Sequence, residues 1–379
     1  MPSSTADQTT ALWTQYREQF PVCEHLVYLN HAAGAPLCRA AADAMKHQVD
    51  DNLLYGSTHY AEWTAAHEGL RAGAARMIGA NPSEIAIVKN TTEGVITVSE
   101  GFDWRPGDKV VAFNEEFPAN YYPWQLLERK GVRVEWLSEF DSLDKIDAAA
   151  RGARMMAISF VQYLSGYRAD IDAIGEICQR HGCFLFVDAI QGLGVFPMDV
   201  RKSNIAALSA DGYKWLLGPE GCGVLYIRPD LQEHVQPIEF GYKNVTKYTD
   251  YGTRNLTLRD DAARYECGTL NTPGCYGLRA SIEFLLDVGI PRIAAAVQAL
   301  GDRIDAGVRA KGYQTMRPRA PESAAGIVTF RRDGVDTAAL FAQLRSQHFA
   351  TAMRSGWLRA SPHFYISPEE IDRFIKALP

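Results

Sequence analysis

Short apolar runs alternate with segments of helical periodicity through the middle of the chain. The runs "EIAIVKN" (84–90), "DKVVAFN" (108–114), "RVEWLS" (133–138), "ARMMAISFV" (153–161), "CFLFVDAI" (183–190), "IAALSAD" (205–211) and "GVLYIRP" (223–229) predict strands. Between them, "TTEGVITVSEGF" (91–102), "NYYPWQLLERKG" (120–131) and "DIDAIGEICQRHG" (170–182) predict helices, the last two closed by glycine. Near-continuous apolar strands separated by helices imply a mostly parallel seven-stranded sheet covered on both faces. The texture then changes. "YGLRASIEFLLDVGI" (276–290) and "PRIAAAVQALGDRIDAGVRAKG" (291–312) read as helices, followed by shorter strands and a closing helix at 367–378 capped by Ser367 and Glu370. A large domain over 22–260 and a smaller α/β domain built from 1–21 and 261–379 are expected. The polar, Tyr-rich stretch 242–257 predicts a long loop, a length that usually carries function.

Composition narrows the partners. The 379 residues carry a formal charge of -6, which argues against nucleic acid or an anionic membrane surface. Seven scattered cysteines without a CxxC pair suit reduced thiols and a cytoplasmic setting. "MPSSTADQTTALW" lacks a basic stretch followed by an apolar core, so no signal peptide is expected. No apolar run approaches the roughly 18 residues of a membrane span.

In a parallel sheet, ligands bind at the carboxyl ends of the strands. Asp188 ends a wholly apolar strand, and Lys214 follows another in the aromatic company of Tyr213 and Trp215. Asn90, Thr91, Thr92 and Glu93 open a helix directly after a strand, where free N–H groups and the helix dipole favour an anion. Taken singly, these are a turn residue, a solvated lysine and a capping box. Together they are a phosphate cup, a carboxylate and an amine, the set that pyridoxal phosphate requires. An apolar setting lowers a lysine pKa enough to make the amine nucleophilic towards the cofactor aldehyde. A carboxylate on the pyridine nitrogen makes the ring an electron sink. A nucleotide-binding protein is a poorer reading, because "VKNTTEG" contains neither GxGxxG nor GxxxxGK[ST].

From "YLNHAAGAPL" (28–37) to the closing helix the chain resembles the class V aminotransferases, the family of cysteine desulfurases, selenocysteine lyases and isopenicillin N epimerase-like proteins. The resemblance implies the fold type I architecture of pyridoxal phosphate enzymes and a homodimer with a shared active site. "VDAIQGLG" (187–194) resembles the family's D-x-x-Q element, implying Asp188 at the pyridine nitrogen and Gln191 near the phenolic oxygen. "DGYKWLLGPEGCG" implies Lys214 as the Schiff-base lysine, with Tyr213 beside it, and "NTTEGV" implies Thr91 and Thr92 as phosphate ligands. "YECGTLNTPG" (265–274) implies that Thr269 reaches the partner subunit's phosphate, and "SGWLRASPHFY" (355–365) that Arg359 grips the substrate carboxylate. Asn30 and His31 lie in a segment that approaches substrate in relatives; a turn and cap is an equal reading.

Three departures bear on the reaction. Phe117 stands where desulfurases carry a histidine that stacks on the cofactor. It can stack but cannot exchange a proton. "FATAMRSGWLRAS" (349–361) runs from strand to strand without the desulfurase cysteine loop, and Cys267 reads as a small filler. Asp211 stands where relatives carry a serine in the phosphate cup, so it either points away or pairs with a cation. A lyase, by C–S or other β-elimination, or a transaminase acting at Cα of an amino acid is the leading expectation. Epimerisation, desulfurase-like activity and a non-catalytic cofactor-binding protein are the alternatives.

Overall fold

Alternate residues of the inner strands face opposite sides of one sheet, which is why those runs are near-continuously apolar, whereas the edge run 133–138 carries Arg133 and Glu135 and is only partly buried. The computed structural model describes residues 12–252 and 254–379. Residues 1–11, which open the stretch read for a signal peptide and part of the expected small domain, and Thr253 in the predicted loop lie outside the described residues.

Strand β1 (Val27–Tyr28) and helices α1 (Arg39–Tyr55) and α2 (Tyr60–Ile78) lead into the sheet. Its strands are β2 (Ile85–Val88), β3 (Lys109–Phe113), β4 (Arg133–Leu137), β5 (Met155–Ser159), β6 (Phe184–Asp188), β7 (Ile205–Asp211) and β8 (Gly223–Ile227). They lie in the order β2-β8-β7-β6-β5-β3-β4, with β8 antiparallel to both of its neighbours. Val111, Met156, Leu185 and Val187 pack into one core, while Val110, Met155, Ala157 and Phe186 pack into the core on the other face. This two-sided burial is the signature of a parallel sheet.

Helices α3 (Thr91–Gly101), α4 (Leu143–Ala150) and α5 (Ile171–His181) connect the strands. Asn90 caps α3 by accepting the Glu93 N–H at 2.9 Å, and Gly182 ends α5 in the left-handed region at φ +64°. The helix expected over 120–131 is different in kind. Only Tyr122–Gln125 is α-helical, and Leu126–Lys130 continues as a 3-10 turn. Pro123 falls in the first turn of the α-helical piece, where its missing N–H is tolerated, and Gly131 at φ +75° closes the 3-10 turn that follows. The 242–257 stretch holds one 3-10 turn, Tyr242–Asn244, and an isolated bridge between Val245 and Leu258.

Helices α6 (Thr272–Val288) and α7 (Ile290–Ala310) lead to a second sheet of β9 (Gln314–Thr315), β10 (Val328–Arg331), β12 (Ala352–Arg354) and β13 (Trp357–Ala360). Strand β11 (Phe349–Ala350), which follows α8 (Thr337–Ser346), pairs in parallel with β1. Ser355 and Gly356, at φ +49° and +78°, close the β12–β13 hairpin in a two-residue turn. The closing helix α9 (Pro368–Ala377) carries the expected reciprocal Ser367–Glu370 cap. Among the described residues, no helix is long and apolar enough to cross a membrane.

Candidate active site

The carboxyl ends of β2, β5, β6 and β7 share one edge of the large sheet, and a cavity of about 420 Å³ opens there. Of the residues read from the sequence, Thr91, Thr92, Phe117, Asp188, Gln191, Tyr213 and Lys214 line it.

Lys214 is 7% exposed, and its turn is heavily constrained. Gly212 N donates to Cys222 O and Gly218 N to Gly212 O, each at 2.9 Å, while Trp215 Nε1 donates to Gln191 Oε1 at 2.8 Å. Buried Leu217 is held at φ +57°, a strained conformation that persists because its surroundings over-determine it. Behind the turn, Gly194 sits at φ +92°, where a Cβ would meet Trp215 O at 2.6 Å. The Lys214 ammonium lies 5.7 Å from the Phe117 ring centre and 5.5 Å from that of Tyr213. Burial pulls its pKa down to about 8, against the opposing pull of Asp188.

Asp188 is 3% exposed and accepts the Ile190 N–H at 3.0 Å. Burial raises its carboxyl to about 6, with Lys214 acting in the other direction. Gln191 lines the cavity with its amide engaged, donating to Ala32 O at 2.9 Å as well as accepting from Trp215. Thr91 Oγ1 accepts the Asp211 N–H at 2.9 Å, tying the start of α3 to the end of β7. Gly94 makes that approach possible. An added Cβ there would stand 2.2 Å from Ser209 Oγ.

Arg359, on β13 of the second sheet, is 1% exposed and lies outside the cavity lining, donating to the backbone oxygen of lining residue Tyr163 at 2.6 Å. Its Nε is buried without a partner, and its charge depresses the Lys214 pKa. His31, Asn30, Thr269 and Cys267 also stand apart from the cavity lining. His31 is wholly buried, with its nitrogens on Ser361 O at 2.8 Å and Tyr365 Oη at 2.6 Å. Burial lowers its pKa to about 3. Asn30 bridges to Ser361 with its Oδ1 buried and unpartnered. Thr269 lies in an adjoining depression, its hydroxyl 3.4 Å from Tyr242 Oη. Cys267, in the same depression, donates to Glu239 Oε2 at 3.5 Å.

Sequence reasoning missed Ser159, Tyr163 and Glu116. Ser159 ends β5 in register with Asp188 and lines the cavity. Its N–H donates to buried Glu116 at 2.6 Å, and its hydroxyl bonds the same carboxyl. Burial, with Asp188 nearby, raises Glu116 to about 8. Tyr163 packs edge-on to Phe117 with ring centres 5.2 Å apart. A strand-end rule of the kind that singled out Asp188 would have found Ser159. Nothing local marks the other two.

The donor set fits pyridoxal phosphate. Asn90, Thr91 and Thr92 bring the start of α3 to the cavity lining, where unpaired first-turn N–H groups and the helix dipole favour an anion. A buried carboxylate and a buried amine of lowered pKa flank the same space, and Arg359, bonded to Tyr163 of the lining, holds an unused donor.

Fold and site together define a pyridoxal phosphate-dependent enzyme of fold type I that works on an amino acid. The family model for aminotransferase class-V matches residues 27–374, and the chain belongs to that family. A probable cysteine desulfurase of Methanothermobacter thermautotrophicus is 30% identical, with 94% of each chain covered. One from Pyrococcus abyssi is 28% identical over 96% of each. The apo structure of the cysteine desulfurase from Thermococcus onnurineus NA1 superposes with a TM-score of 0.88 at 26% identity, covering 96% of both chains.

Proposed function

We propose that this enzyme cleaves the Cβ–S bond of a sulfur-containing amino acid and releases the sulfur as a small molecule. The relatives named cysteine desulfurases support the bond. The observation that carries the release is the β12–β13 hairpin. It turns in two residues and bears no thiol, and none of the seven free cysteines lines the cavity.

Pyridoxal phosphate, when bound, supplies an electron sink that acidifies the substrate Cα–H. Thr91 and Thr92 would hold its phosphate at the start of α3, and Asp188 would supply a negative charge to its pyridine nitrogen. Arg359 orients the substrate carboxylate with a planar fork of donors. The Lys214 amine takes the Cα proton at Nζ, which its lowered pKa allows near neutral pH. Phe117 and Tyr163 wall the mouth and exclude water without exchanging protons.

Thr269 serves the cavity of a second copy in a homodimer. Its position outside its own chain's cavity supports this, as does the shared lining of the two depressions by Lys89 and Gly221. The seven free thiols suit a cytoplasmic setting. Product analysis by mass spectrometry, after incubating holoenzyme with a mixed amino-acid panel, tests the reaction. Pyruvate, ammonia and a released sulfur species are expected from cysteine or cystine. A 2-oxo acid that keeps its side chain would make the enzyme a transaminase, and an inverted Cα an epimerase.

A further inference from the structure

Asp211 presents an acidic side chain in a cup built for an anion. It ends β7, is 5% exposed and lines the cavity with the start of α3. Its Oδ1 is buried without a hydrogen-bond partner. Asp211 forms no ion pair with a cation among the described residues, so the expected pairing is not what accommodates its charge, and it stands in the cavity lining rather than apart from it.

We infer that Asp211 binds the cofactor phosphate as a neutral acid, donating its own proton to a phosphate oxygen, so that phosphate recognition weakens as pH rises. This rests on the pyridoxal phosphate reading above. A carboxylate beside a phosphate is repelled, whereas a carboxylic acid is a strong donor to an anionic oxygen. Burial already moves Asp211 to about 7, and a bound dianion pushes it the same way. Against burial, the backbone N–H groups of Gly212 and Tyr213 and the charge of Lys214 lower its pKa, while Glu220 raises it. Tyr213 and Cys222, for their part, feel the Asp211 charge. Lys89 lines the cavity too, but is paired with Glu93 and Glu239. The cup is therefore neutral in slightly acidic conditions and self-repelling in alkaline ones.

The test compares pyridoxal 5′-phosphate with pyridoxal, which lacks the phosphate. Dissociation constants of both are measured by absorbance on cofactor-stripped protein between pH 6 and 9. The ratio of the two constants isolates the phosphate and cancels the titration of Lys214. Asp211→Asn keeps a donor but cannot ionise, and Asp211→Ser is the second variant should the first fail to fold. At pH 9 the phosphate advantage is expected to be about tenfold larger in the variants than in the native chain, and equal within about twofold at pH 6. Parallel profiles for variant and native protein would overturn the inference. Weaker phosphate binding in the variants at both ends would do the same. If neither aldehyde forms an adduct with the native chain, the cofactor reading itself fails, and that outcome is distinct from the others.

Discussion

Replacing Lys214 with methionine should make the cofactor-free protein more stable at neutral pH while abolishing covalent cofactor attachment. The amine titrates near 8 in the folded chain because it is buried. In the unfolded chain it titrates near about 10.4, so at pH 7 keeping it protonated costs the folded state roughly 3 kcal/mol. The unfolded state binds more protons between those two values, so stability rises with pH across that window. Above it the cost is gone. Methionine fills nearly the same volume without a charge. The pull of Asp188 and Asp211 is already contained in the folded-state value of about 8, so the net gain is at most about 3 kcal/mol at pH 7. Urea unfolding of stripped native and variant protein at pH 7 and pH 10.5 is the assay. The variant should unfold at higher urea at pH 7, with the advantage mostly lost at pH 10.5. A variant less stable than the native chain at pH 7, or a pH-independent difference, would refute the assigned electrostatics of the site.

The packing of α3 offers a second perturbation. Gly94→Ala drives a Cβ into Ser209, an overpacking worth about 1–3 kcal/mol, and displaces the phosphate cup. Absorbance titration should show cofactor affinity falling at least about tenfold, a loss that about 1.4 kcal/mol would produce, with Ser209→Gly restoring part of it in the same chain. Arg359→Lys keeps the charge but loses the fork and the bond to Tyr163 O. Steady-state kinetics should show kcat/KM down about a hundredfold, mostly in KM, and an unchanged KM would count against carboxylate recognition by Arg359.

The sheet was legible because each of its strands is short, apolar and bounded by turn residues, a signal carried by neighbouring positions alone. Asp188 and Lys214 were legible for the same reason, since a strand end fixes which edge of the sheet a residue occupies. The segment 120–131 misled because its apolar spacing and closing glycine suit a short α-helical turn continued as a 3-10 turn as well as a full α-helix. Longer-range geometry was hidden. The burial of His31 against Tyr365 joins residues 334 apart in sequence. Likewise, Tyr163 meets Arg359 only because the second sheet packs over the first. Asp211 lay between: its type flagged a conflict, and only the fold showed it buried in the cavity lining with an unpartnered oxygen.

The measurement closest to the centre is reduction of the holoprotein with borohydride, followed by peptide mapping of the pyridoxyl group. The label is expected on one peptide, the one containing Lys214, and absent from Lys214→Met. A label on any other lysine, or no label at all, would contradict the site described here.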